Sequence, residues 1–195
     1  MVEFPLTFAE FLDAKREEPY YFGLGFIKVR LDHIRSMNFY DPELGAELPE
    51  EEVHDHRYDF TSQILGGSLT NQMWDVTPLP LASAAPDADG ELWWVSCRPG
   101  QQDVLYCEAG STPMNTISMT RGSWYTMKNY QFHAVRPGPD GCITGLRRTS
   151  PILHENARVL RPIGGAKVCP YARRIDSAEL YTRIEKLYGT LRPDG

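Results

Sequence analysis

Between Phe26 and Arg148 the chain is cut again and again by Gly, Pro and Asp, and short apolar pieces stand between the cuts. In "FIKVRLDH", Ile27, Val29 and Leu31 alternate with Lys28, Arg30 and Asp32. That period of two belongs to a half-buried strand. "RSMNFY" is expected to continue the same strand past an irregularity. Gly66-Gly67 reads as a turn, with "SLTNQMWDV" as the strand that returns from it. "ELWWVSCRP", "DVLYCEAG", "NTISMTRG", "SWYTMK", "FHAVRP" and "CITGLRR" follow as further short strands. Many short strands at this spacing fold as an antiparallel sandwich or barrel. "TPLPLASAAPDADG", from Thr77 to Gly90, has little to bury and is expected to be a long surface loop.

Helical signals sit only at the ends. In "TFAE", Thr7 and Glu10 have the spacing of a capping box. Phe8, Phe11 and Leu12 mark one face of the helix that follows, and Pro19 closes the segment. Near the other end, Leu180, Ile184 and Leu187 form one stripe. Asp176 or Ser177 caps that helix, Glu179 follows three after Asp176, and Gly189 is the expected stop, giving a helix over about 177–188. Residues 1–195 are read as one domain with its core at about 25–150.

The chain carries 20 Lys and Arg against 26 Asp and Glu, a formal charge of -6. An acidic surface is a poor partner for phosphates, so nucleic-acid binding is not expected. No apolar run approaches the ~20 residues that cross a bilayer, and the start lacks the basic and apolar regions of a secretory signal. Cys97, Cys107, Cys142 and Cys169 show no metal-knuckle spacing, and a cytoplasmic location is expected. A reducing environment is the simplest reading of these thiols, with a single Cys97–Cys107 bridge across a hairpin as the alternative. Trp93-Trp94, on a strand, places its two rings on opposite faces.

"EEVHDHRYDF" holds the strongest chemical signal. On a strand, His54 and His56 share a face about 7 Å apart at the backbone, taking ~3.3 Å per residue. Two neutral imidazoles so placed suit a transition metal. A metal also needs a third protein ligand. His33, His133 and His154 remain, and His133 lies in the apolar segment "QFHAVRP".

The arrangement resembles the cupin superfamily. The first cupin motif has HxH, three or four residues, Glu, six residues and Gly. Here His54, His56 and Gly67 fit it, but Phe60 takes the Glu position. The second motif has Gly, five residues, Pro-x-Gly, two residues and His. Gly122 and His133 fit, while Lys128 and Tyr130 replace the Pro and second Gly. The resemblance implies a mainly β fold, an antiparallel double-stranded β-helix or jelly-roll barrel with a metal held by His54, His56 and His133. Asp59 is the nearest acid to the missing Glu. Strict alternation turns it to the other face, as an outward partner of Arg57, unless a bulge after His56 reverses it. Gln63 and Gln72 are weaker oxygen donors.

A site of three His resembles those of thiol-dioxygenase-type iron cupins. It implies Fe(II), with Zn, Mn or Ni as alternatives, and a small carboxylate- or thiol-bearing substrate together with dioxygen. Neutral ligands leave the ion its full charge, which favours an anion. An arginine at the mouth would orient a carboxylate. Arg147 is the first candidate, with Arg57 and Arg148 beside it. Tyr58 and Tyr130, with Tyr125, are candidates for an acid or a hydrogen bond to bound oxygen. A Lewis-acid isomerase, epimerase or lyase is the second reading, and a non-catalytic ligand-binding module the third. Pairing through sheet edges, common in cupins, implies a homodimer.

Overall fold

A computed structural model describes residues 4–45, 53–79, 88–95, 103–164 and 174–192. The expected mainly β, antiparallel architecture is what it shows. Among the described residues, nine strands form one curled sheet: β1 (Tyr20–Tyr21), β2 (Phe26–Arg30), β3 (Arg35–Tyr40), β4 (Phe60–Pro78), β5 (Gly90–Val95), β6 (Val104–Thr120), β7 (Trp124–Met127), β8 (Phe132–Arg148) and β9 (Ala157–Arg161). Their spatial order is β1-β2-β3-β8-β4-β6-β5-β9, with β7 paired to β4. Helices α1 (Phe8–Ala14) and α2 (Ser177–Leu191) flank it.

The helix ends follow local chemistry. Thr7 Oγ1 accepts from Glu10 N at 3.2 Å, and Glu10 returns a carboxylate oxygen to Thr7 N at 3.1 Å. Phe11 is buried, but Leu12 is exposed, and α1 ends well before Pro19. Asp176 caps α2 by accepting from Ala178 N at 2.8 Å. Glu179 does not reach back to the cap; it pairs with Arg183 one turn on, at 3.0 Å. Gly189 does not stop the helix, which runs on to Leu191.

The strands depart further from expectation. "RSMNFY" does not continue β2 but folds back on it, pairing Phe26 with Tyr40. Asp32 turns the corner by accepting from the backbone N–H groups of Ile34 and Arg35. Gly66-Gly67 is no turn either. β4 passes straight through it, with register shifts against β8 on both sides. Gly67 has φ of 70°, the left-handed region open to glycine, and a Cβ there would strike the Gly141 carbonyl. "DVLYCEAG" and "NTISMTRG" merge into β6, and "FHAVRP" and "CITGLRR" into β8. The expected loop from Thr77 gives its first two residues to β4; residues 80–87 lie outside those described.

The two faces of the sheet differ. Directly paired residues share a face. Ile27, Met37, Phe39, Leu65 and Ile143 face the helices and pack with Phe11, Leu180, Ile184, Leu187 and Tyr188. The opposite face carries Phe26, Tyr40, Ile64, Leu69, Met119 and Cys142 into the interior.

The strip β8-β4-β6-β5-β9 then closes on itself. The closing piece is the short segment from Val53 to His56. His54 N donates to His133 O at 3.0 Å and His133 N to His54 O at 2.9 Å, on β8. On the other side, Leu160 N reaches Val53 O and Asp55 N reaches Arg158 O, each at 2.9 Å, on β9. The HxH stretch is therefore the seam of the barrel and not part of a long strand.

Candidate metal centre

His54 and His56 stand on the seam and His133 near the start of β8. The three imidazoles form a near-equilateral triangle. Ring centroids are 4.9 Å apart for His54–His56 and 5.0 Å for each of the other two pairs. One nitrogen from each lies within 4.8 Å of the others. His133 is buried and the other two are half-buried.

Hydrogen bonds set the tautomers. His133 Nδ1 lies 2.8 Å from Asn71 Oδ1. Asn71 is itself buried, and its amide nitrogen faces Met127 Sδ at 3.9 Å. The amide oxygen thus accepts from His133 Nδ1–H, which leaves the His133 lone pair on Nε2. That Nε2 faces His56 Nε2 at 2.8 Å, so His56 donates to it. Burial holds the pKa of both His56 and His133 well below the usual value, and the neighbouring His54 adds to the effect. Both rings are neutral near pH 7, the form that binds metals.

Phe60, at the place of the expected Glu, closes one side with a phenyl ring. It meets His56 nearly edge-on, with centroids 4.5 Å apart. Asp59 does not join the triangle. Its carboxylate accepts from Lys128 Nζ and from Asn129 N, each at 2.9 Å. These two donors, Lys128 first, lower its pKa. Its salt-bridge partner is Lys128, not Arg57, whose Nε donates to His154 O. Gln63 and Gln72 neighbour Ser62 and Asn71 on β4 and so point to the other face. His33 and His154 are exposed.

Among the arginines, Arg147 pairs with Thr61 and is exposed, while Arg148 pairs with Phe60 and shares its face. The Arg148 guanidinium lies 5.7 Å from the Tyr58 ring centroid. Tyr58 is half-buried against the Phe60–Met127–Leu146 cluster. Tyr130 stands on the turn between β7 and β8 and is 64% exposed. Burial pushes the Tyr125 hydroxyl up to about 12.

Behind the triangle lies a pair that the sequence did not suggest. Asp55 is 2% exposed, and Arg158 binds it twice, through N and Nε, each at 2.6 Å. Trp93 and Trp94 do take opposite faces. Trp93 is buried with Val95 and Val159, and Trp94 lies beside Tyr106 and the Arg158 guanidinium.

No protein-family model and no curated protein matches the chain. Among solved structures, the hydroquinone 1,2-dioxygenase of Sphingomonas sp. TTNP3 with 4-hydroxybenzoate bound aligns at 11% identity and a TM-score of 0.33, over 62% of this chain. The present chain spans 63% of that one. Hydroquinone 1,2-dioxygenase PnpCD, in complex with Cd2+ and 4-hydroxybenzonitrile, aligns at 10% identity and a TM-score of 0.32, over 73% of this chain and 72% of that one. A likeness this weak says nothing of what the present chain binds or does.

Proposed function

We propose that this chain is a metal-dependent enzyme of cupin type that holds one ion with His54, His56 and His133. One observation carries the reading. The fold brings three imidazoles from two segments 77 residues apart into one triangle. The donor set fits a first-row metal: the rings are sheltered, two have depressed pKa values, and Asn71 fixes the His133 tautomer. To offer Nε2 beside that of His133, His56 would carry its ring proton on Nδ1.

Within that reading we favour a mononuclear non-haem iron oxygenase acting with dioxygen on a small carboxylate- or thiol-bearing substrate. When bound, the ion supplies a positive centre with open positions for an anionic donor and dioxygen. The chain supplies the rest. Phe60 keeps an oxygen donor out of the place beside His56. Arg148 and Tyr58, on the Phe60 side, orient an anionic group. Tyr125 keeps its proton at neutral pH and serves as a donor. A Lewis-acid isomerase or lyase needs a base near the ion, and Asp59 is held away by Lys128.

The chain is read as one domain, because a single sheet joins all nine strands. No helix among the described residues is long and apolar enough to cross a membrane. Cys107 and Cys142 are buried free thiols, which supports a reducing compartment. A homodimer and a cytoplasmic location stay within this proposal.

Elemental analysis of anaerobically purified protein tests the premise. One equivalent of metal is expected, and His133→Ala should lose most of it while the far-ultraviolet β signal survives. Dioxygen uptake with a panel of small thiols and carboxylates then separates oxygenase from Lewis acid. A metal-free wild type, or a His133→Ala variant with a full complement, would leave a ligand-binding module as the better account.

A further inference from the structure

The seam that carries His54 and His56 has no long ladder of its own. A few backbone bonds tie it to β8 and β9, and the His56 N bond to Asn129 O is long at 3.3 Å. Yet a three-imidazole site tolerates little error in ring position, so something must fix the seam laterally.

Asp55 lies between the two histidines, and alternation turns its side chain away from theirs. Its carboxylate takes both the backbone N–H and the Nε–H of Arg158 at 2.6 Å. Asp55 N donates back to Arg158 O at 2.9 Å. Three hydrogen bonds thus join residues 55 and 158, two of them charge-assisted. The Arg158 guanidinium also lies 5.0 Å from the ring centroid of Phe132, the residue before His133, and 5.6 Å from that of Trp94. One ion pair therefore touches the seam, β9 and the start of β8 together.

We propose that Asp55 and Arg158 are a positioning pair that holds His54 and His56 in register with His133. They act through the histidines and touch no ion themselves. The pair's effect on metal affinity rests on the metal-centre reading above. Its effect on the histidine rings does not.

Asp41 supplies a matched control. It is also buried and ion-paired, to Arg183 at 2.9 Å, but it belongs to the α2 side of the molecule. Co(II) titration, the Co(II) visible spectrum and thermal melting are measured on wild type, Asp55→Asn, Arg158→Lys, the double variant and Asp41→Asn. The imidazole 15N spectrum is recorded on the metal-free proteins.

Asp55→Asn should weaken Co(II) binding by up to roughly tenfold to hundredfold, the range seen when a ligating histidine loses the hydrogen bond that orients its ring, because the seam that carries two of the ligands is no longer held. It should also alter the spectrum at saturating Co(II) and shift the His54 and His56 ring nitrogens. The double variant should be no worse than the poorer single one, because the two residues act as a unit. Asp41→Asn should melt earlier yet keep wild-type Co(II) affinity and spectrum. Arg158→Lys keeps the backbone bond and the charge, and gives the same readouts in milder form should Asp55→Asn not fold. Wild-type Co(II) affinity and spectrum in a folded Asp55→Asn or Arg158→Lys protein would overturn the proposal. Should wild type bind no Co(II), the metal reading falls and the ring nitrogens decide. Their shift then upholds positioning, and an unchanged spectrum overturns it.

Discussion

The helix-backed half and the histidine half of this molecule share strands β4 and β8 and differ in chemistry. On the helix side, aromatic and branched residues interlock: Phe39 meets Phe11 at 5.2 Å and Tyr188 at 5.8 Å between centroids. On the histidine side the apolar clusters are small, and buried polar groups stand between them: Asp55, Asn71 and His133. Apolar contact is non-directional and adds stability with area. Polar contact is directional and adds placement. Stability and geometry are thus separable here, and changes on one side should leave the other side's property in place.

The hardest blow to that separation falls on the core. Phe39→Ala removes a fully buried ring and should cost about 3–5 kcal/mol, read by urea denaturation, with metal affinity per folded molecule unchanged. A parallel collapse of metal affinity would show the halves to be one unit. Asn71→Leu is its converse. The variant fills similar space but leaves His133 Nδ1 without an acceptor. It should weaken metal binding by roughly tenfold to hundredfold with a stability loss of about 1–3 kcal/mol. Equal metal affinity in calorimetry would remove Asn71 from the site.

A gentler probe is pH. His56 and His133 have folded pKa values well below 6.5, so below that pH the unfolded chain takes up protons that the folded one refuses. Metal-free stability should be full above about 6.5 and decline as pH falls. His133→Ala, having lost one such group, should show a shallower decline. Identical slopes in the two proteins would place the pH dependence outside the triangle.

How much of this was written legibly in the chain depends on range. The caps at Thr7 and Asp176 were readable because their partners lie two or three residues away. His54, His56 and His133 were readable because a spacing pattern carries them. Asp59 and Phe60 were partly so, since alternation already turned Asp59 aside. The register was not. Two adjacent glycines look like a turn, and only the Gly141 backbone packed against Gly67 makes them a passage within β4. The shifts there set which β8 residues lie opposite Phe60, so Arg148 and not Arg147 shares its face. Asn71 and Arg158 had no local mark at all, because each meets its partner through pairing between distant strands.

The barrel seam has a consequence in time. His56 meets His133 across 77 residues and Asp55 meets Arg158 across 103. Closing such spans is slow, whereas the β2–β3 hairpin closes over a few residues. The helix-backed half spans as far, since Phe39 pairs with Ile143, but a six-residue ladder holds it there, whereas a few backbone bonds hold the seam, so the seam is expected to join after the rate-limiting step. An ion held there would act as a late latch, slowing unfolding and leaving the folding rate almost untouched. Stopped-flow traces with and without Zn(II) would then differ in the unfolding arm alone. An accelerated folding arm would mean that the seam forms early.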